Sequence, residues 1–212
     1  FEKNRELIDK PCIKKLNDER EKAFTRFKSA GLPGIKDENW RHSNVAKRFD
    51  ADYGMDLARK SHYNEARSTF TCDVPNLKTF KGYVINDSFV EADNSGKELP
   101  AGVFLGGISS FAEQHSEVID RYYNRLAENG DSIVQFNTAF VQDCIILYIP
   151  KNIVIEETIQ IVALLQTNVD ILTNRRMLVI MEENSHASLL LCDHSSTEKK
   201  SLSAEVTEIF IG

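Results

Sequence analysis

The chain has 212 residues, 42% of them hydrophobic and 27% charged, with a formal net charge of −6. That length can bury a sizeable core, and the fractions are those of an ordinary globular protein rather than a disordered or fibrous one. No apolar run approaches the roughly 20 residues a membrane helix needs; the only basic excess, 15 Lys/Arg against 11 Asp/Glu in residues 1–60, is too mild for a nucleic-acid surface.

The first ten residues, FEKNRELIDK, are charged and do not form a signal peptide. They lack an initiating Met, so the chain is expected to be trimmed. Cys12, Cys72, Cys144 and Cys192 show no C-x-x-C spacing. They read as free thiols of a reducing, cytoplasmic compartment.

Residues 1–30 carry a helical pattern. Asp18 and Glu21 have capping-box spacing. Ala23, Phe24, Phe27 and Ala30 form an apolar stripe, and Gly31 with Pro33 beyond it stops the helix. Residues 42–75 are polar and weakly periodic, and read as irregular with short helical pieces. Strands are expected over 80–90 and 103–105, around a polar loop at 91–100. The clearest helix is 110–127. Ser110 and Glu113 make its capping box, Phe111, Val118, Ile119, Tyr122 and Leu126 share a face, and Asn129-Gly130 ends it.

The pattern changes after residue 130. Short β-branched runs at 145–149, 153–155 and 159–162 are separated by the turns Pro150-Lys151-Asn152 and Glu156-Glu157-Thr158. Further runs follow at 177–181, 187–192 and 205–211. No helical period is visible from Ile133 to Ile211, nor any Asn-Gly or Asp-Gly hairpin turn. This rhythm of short run and polar corner predicts a β-solenoid with strands stacked coil upon coil. A jelly roll is the structural rival. The predicted class is α+β: a mostly helical α+β domain over 1–130, then the first coils of a β-helix over 131–212.

Two segments resemble one family. Arg20, Ala23, Phe27, Gly31-Leu32-Pro33, Lys36, Glu38 and Trp40-Arg41 are similar to the N-terminal signature of the SufD branch of the SufB/SufD family, scaffold subunits of the SUF iron–sulfur cluster assembly machine. Asn137-Thr138-Ala139-Phe140, Asp143 and Tyr148-Ile149-Pro150-Lys151 resemble the entry into that family's core, and residues 176–191 continue the match. The chain departs at Cys144, where the family usually has Gly, and at His42-Ser43, where it has an aromatic residue and Thr. The resemblance implies a right-handed parallel β-helix, a SufB-like partner subunit and a SufC-like ABC ATPase. It also implies that this is the N-terminal part of a longer chain. In the family, a C-terminal helical domain docks the ATPase and late coils carry the assembly residues. No catalytic, cofactor-binding or metal residue therefore carries over, and the full complex handles the cluster.

The residues themselves offer some chemistry. Cys192-Asp193-His194, with Cys144 one coil away, have ligand types that suit iron or zinc. The competing reading makes Cys144 and Cys192 small buried strand residues, and His186 and His194 solvent-exposed at strand ends. Gly102, Gly106 and Gly107 lack a following Lys-Ser/Thr and read as a loop, not a phosphate cradle. Trp40 reads as a plug in the helical core, with a docking patch shared with Arg41 as the alternative. Asp143, Glu156, Glu157 and Asp170 are the acids available to a polysaccharide-active β-helix enzyme. The reading adopted is a non-catalytic scaffold without ATPase activity of its own; a polysaccharide enzyme and a purely structural interaction domain are the alternatives. The last run, with Val206, Ile209, Phe210 and Ile211 facing nothing, is expected to self-associate into a homodimer.

Overall fold

The computed structural model describes residues 8, 13–56, 72, 75, 77–93 and 98–212. Helix α1 spans Lys14–Ala30 and buries Leu16, Glu19, Arg20, Ala23 and Phe27, a stripe of three- and four-residue steps. Gly31 ends it at φ 70°, its N–H donating to the Phe27 carbonyl at 2.8 Å. The capping box at Asp18 does not form. The helix starts upstream behind Ile13, because burying Leu16 carries it back one turn, and Asp18 pairs with Lys14 along the helix side. A short turn of helix, α2, follows at Val45–Arg48. Much of the 42–75 stretch lies outside the described residues, as does Cys12.

Among the described residues, eight strands form two four-stranded sheets. They are β1 (Thr79–Ile85), β2 (Ser88–Asp93), β3 (Phe104–Gly107), β4 (Ile145–Ile149), β5 (Thr158–Leu165), β6 (Ile171–Met181), β7 (Leu189–Ser195) and β8 (Ser201–Ile211). The sheet orders are β2-β1-β5-β7 and β3-β4-β6-β8. Pairs β1/β5, β5/β7, β4/β6 and β6/β8 are parallel, while β1/β2 and β3/β4 are antiparallel. Both sheets draw strands from either side of residue 130. Gly106 and Gly107, expected in a loop, end strand β3.

The expected α+β chain ending in a right-handed parallel β-helix is thus corrected. Parallel stacking does occur, but in two mixed sheets of an α/β fold, with antiparallel strands at one edge of each and no closed coil among the described residues. Two physical causes mislead the pattern. The run at 177–181 is only the end of an eleven-residue strand, whose preceding polar residues Thr173, Arg175 and Arg176 are held by side-chain bonds. The run at 153–155 is not a strand; only Val154 bridges, to His186.

Two more helices cover the second sheet. Helix α3 spans Ile108–Tyr122, bent at His115, and buries Ile108, Phe111 and Ile119. It carries no side-chain cap, and Leu126, expected on its buried face, is 61% exposed beyond its end. Helix α4, Ser132–Phe140, lies where no helical period was read. Its N-cap is Asp131, whose Oδ1 accepts from the Ile133 and Val134 N–H groups at 3.0 and 3.1 Å.

Asp131 also settles the place of Trp40. The indole N–H donates to Asp131 Oδ2 at 2.9 Å, and the ring is half-buried rather than plugged into a core. One carboxylate therefore caps α4 and anchors the turn after α1. Asp131→Ala should cost about 1–3 kcal/mol in urea unfolding, combining a cap with a bond to a charged acceptor. Asp131→Asn should keep most of the cap. Equal stability of all three proteins would refute this role.

The layers are sheet, sheet, helices. Phe80, Val84, Leu105, Ile145, Leu147, Ile149, Ile159, Ile161 and Val179 fill the space between the sheets. The alternate residues Cys144, Ile146, Leu178 and Ile180 meet Leu16, Ile108, Phe111 and Ile119 of the helices. Strand β4 and the 177–181 end of β6 are buried on both faces, which explains their apolar runs. A third cluster joins Ala23 and Phe27 to Phe136, Ala139, Phe140, Leu172 and Ala204.

Charge is buried in this helical layer. Arg176 and Glu208, on neighbouring strands β6 and β8, pair at 2.6 Å with side chains 0% and 2% exposed. Arg176 also donates to Asn124 and Thr138 at 2.9 Å and lies 5.2 Å from the Tyr123 ring centroid. Glu208 accepts from the backbone N–H groups of Asn124, Leu126 and Ala127. Asn124 in turn donates to Glu19 of α1 at 2.8 Å. Burial alone would raise the Glu19 carboxyl, but bonds from Lys22, Asn124 and Lys15 outweigh it and hold it at about 2. The network ties α1, the 123–127 turn, α4, β6 and β8 together. Among the described residues no helix is long and apolar enough to cross a membrane.

Candidate functional site

The residues with ligand chemistry converge on the outer face of the sheet β2-β1-β5-β7, away from the helices. Cys192 and His194 stand two apart on β7, so both project to one face. The register sets Val162 beside Cys192 and Leu164 beside His194. That is the face opposite Ile159, Ile161 and Ala163, which fill the inter-sheet core. Cys72 comes over this face from the stretch before β1. His194 Nε2 lies 3.2 Å from Cys72 Sγ. The three ligand atoms of Cys72, Cys192 and His194 all lie within 4.8 Å of one another, each residue half-buried.

Gln160 of β5 lies beneath them, fully buried. Its amide nitrogen is 3.3 Å from Cys72 Sγ, 3.4 Å from Cys192 Sγ and 3.4 Å from the Cys72 carbonyl. Its oxygen accepts from Thr79 Oγ1 at 3.0 Å, and the Cys72 carbonyl, which can only accept, sets the nitrogen on the thiol side. Burial, then the neighbouring Cys192 thiol, push the Cys72 thiol up, against the pull of Lys81 and Gln160.

The other candidate residues fall elsewhere. Cys144, expected to join Cys192, is fully buried on the helical side of the other sheet, and burial pushes its thiol well up. Asp193 points to the face opposite Cys192 and pairs with Arg175, which also pairs with Glu205. These three help line a cavity of about 40 Å³ between the sheets, room for little more than water. His186 is exposed. Asp143 accepts from the N–H groups of Phe89 and Cys144, and Asp170 from that of Lys200, so both serve the backbone. Glu156 is exposed at a corner. No groove gathers these acids among the described residues.

Sequence reasoning singled out Cys192 and His194 but paired them with the wrong thiol. Cys72 and His194 are 122 residues apart, and nothing local marks them as neighbours. The two-residue spacing on a strand was the legible half of the site; the other half depends on β5 and β7 being parallel neighbours.

Comparison with known proteins adds two findings. Residues 1–161 match the family described as SufBD protein N-terminal region. An iron–sulfur cluster assembly SufBD family protein of Synechocystis is 21% identical over 183 residues, which cover 82% of this chain and 38% of that protein. The chain thus spans well under half the length of that relative.

Proposed function

We propose that this chain, which belongs to the SufBD family, is a non-catalytic scaffold for iron–sulfur cluster assembly, acting in the cytoplasm within a SufB–SufC–SufD-type complex. The carrying observation is the family match across residues 1–161. The Gly31-Leu32-Pro33 and Trp40-Arg41 motif supports the SufD branch within it. Its partners are then a SufB-like subunit and a SufC-like ABC ATPase, and the cluster is cargo of the assembled complex.

A scaffold needs a rigid body and a surface left for association. The buried Arg176 network and the doubly covered strands supply the first. For the second, β7 and β8 end their sheets, and Leu191, Ile209 and Ile211 are 51%, 49% and 75% exposed. Ile209 and Ile211 lie beside Val179 and Met181, on the face turned toward the other sheet. Unpaired strand edges of this kind invite pairing. For these 212 residues alone a second copy is the simplest occupant of those edges; in a longer chain, following strands would compete for them. Val206 and Phe210 are not part of this surface: both are half-buried, and Phe210 packs on Tyr122 at 4.8 Å.

The decisive experiment is co-expression with the SufB-like and SufC-like subunits of the same cell. The three should co-elute, ATP hydrolysis should follow the SufC-like subunit alone, and depletion of this protein should lower iron–sulfur enzyme activities. A protein that co-elutes with neither, and whose loss leaves those enzymes untouched, would end the reading. Alone, it should sediment as a concentration-dependent dimer that Ile209→Lys with Ile211→Lys makes monomeric. A dimer indifferent to those charges would remove the edge from the interface.

A further inference from the structure

We propose that Cys72, Cys192 and His194 form a binding site for one thiophilic divalent cation, of the zinc or ferrous class. The inference stands on this chain's own geometry and does not depend on the scaffold role.

The donor set is the first argument. Two thiolates and an imidazole suit zinc or ferrous iron and disfavour magnesium, calcium or manganese, which prefer oxygen. The spacing is the second. Bonds of about 2.3 Å to sulfur and about 2.0–2.1 Å to nitrogen, at tetrahedral angles, put the donors about 3.6–3.8 Å apart. Here the donors already lie within 4.8 Å of one another, with His194 and Cys72 at 3.2 Å. Small side-chain rotations complete the site without moving a strand.

The third argument is what lies behind the sulfurs. A buried Gln160, held by Thr79, directs its amide N–H groups at both Cys72 and Cys192. Two half-buried thiols need no amide donor, whereas two thiolates on a cation are stabilised by one. This is the outer-shell support that orients metal ligands and tunes them. Cation charge also resolves the cost of placing two sulfurs side by side, since a coordinated thiol gives up its proton.

Three protein ligands leave a fourth position open to water or an incoming donor. That is the arrangement of exchange or reaction sites rather than of closed structural ones. The site faces outward, so the open position is reachable. A bound cation would also tie the stretch around Cys72 to β7, closing a loop of more than a hundred residues, and so should raise the melting temperature.

Cobalt titration of the intact, fully reduced protein under anaerobic conditions tests this. One Co²⁺ per chain should bind, with thiolate-to-cobalt charge-transfer bands and tetrahedral visible bands, and Zn²⁺ should displace it. Cys72→Ser, Cys192→Ser and His194→Gln should each weaken binding by more than the roughly 10–100-fold typical of losing an outer-shell partner; Gln160→Leu should fall within that range. Cys12→Ser and Cys144→Ala should leave the spectrum intact. Circular dichroism confirms that each variant is folded. A folded wild-type protein without thiolate bands would overturn the proposal, as would bands that survive Cys192→Ser or vanish with Cys144→Ala. If the thiols instead join as a Cys72–Cys192 disulfide that resists reductant, the pair is a cross-link and the proposal also falls.

Discussion

Arg176→Met should destabilise the protein by about 3–5 kcal/mol, the cost of leaving a buried charge without its partner. Glu208 would then sit 2% exposed with only neutral donors around it. Glu208→Leu should be at least as harmful, because it orphans Arg176 and three backbone N–H groups of the 124–127 turn at once. The double variant is the sharper test. Replacing a simple buried ion pair by apolar residues is often neutral or stabilising. Here the turn's N–H groups stay unsatisfied, so the double variant should be better than the sum of the singles yet still less stable than wild type. Urea unfolding of all four proteins gives the coupling energy. A wild-type-like Arg176→Met would show that the pair contributes nothing net to stability.

Glu19 extends the same network toward the surface and adds a pH signature. Its folded value of about 2 lies below the ordinary 4.5. Its contribution is therefore complete above about pH 4.5 and is lost as the pH falls toward 2. Glu19→Gln should flatten that acid limb. If both proteins lose stability in parallel between pH 4.5 and 2, the carboxylate is not what holds Asn124, Lys15 and Lys22 in place.

The family was legible in short motifs, the topology was not. Gly31 as a helix stop is visible from composition alone, because a left-handed residue there favours Gly. The α4 helix was also within reach: Ile133, Phe136 and Phe140 follow three- and four-residue steps behind Asp131, a good N-cap. The dense β-branched runs that follow masked it. Strand length was hidden for another reason. Thr173, Asn174, Arg175 and Arg176 look like a polar corner, yet they run mid-strand, and three of them find their partners in other elements: Ser203 for Thr173, Asp193 and Glu205 for Arg175, Asn124 and Glu208 for Arg176. No local pattern encodes such partners. Cys72 failed for the same reason.

Phe136 is where the missed helix can be weighed. It is fully buried in α4, with ring centroids 5.4 Å from Phe27 of α1, 5.1 Å from Phe49 beyond α2 and 4.9 Å from Phe140. Phe136→Ala should cost about 3–5 kcal/mol, through lost burial and the cavity left among three rings that cannot all close on it. Phe136→Leu keeps most of the volume and should cost markedly less, losing mainly the ring–ring contacts, worth about 0.5–1.5 kcal/mol each. The damage should also be directional. Asn137, the next residue, donates to the carbonyls of Arg175 and Ala204 at 2.8 Å, which pins α4 to β6 and β8 independently of the aromatic cluster. Hydrogen exchange should therefore accelerate in α1, which reaches α4 through Phe27, before it does in β6. If Phe136→Ala loses less than about 1 kcal/mol, the cluster collapses readily and is not a determinant of the fold. If β6 and α1 lose protection together, α4 is not an independently anchored plate, and the helical layer unfolds as one unit with the sheet.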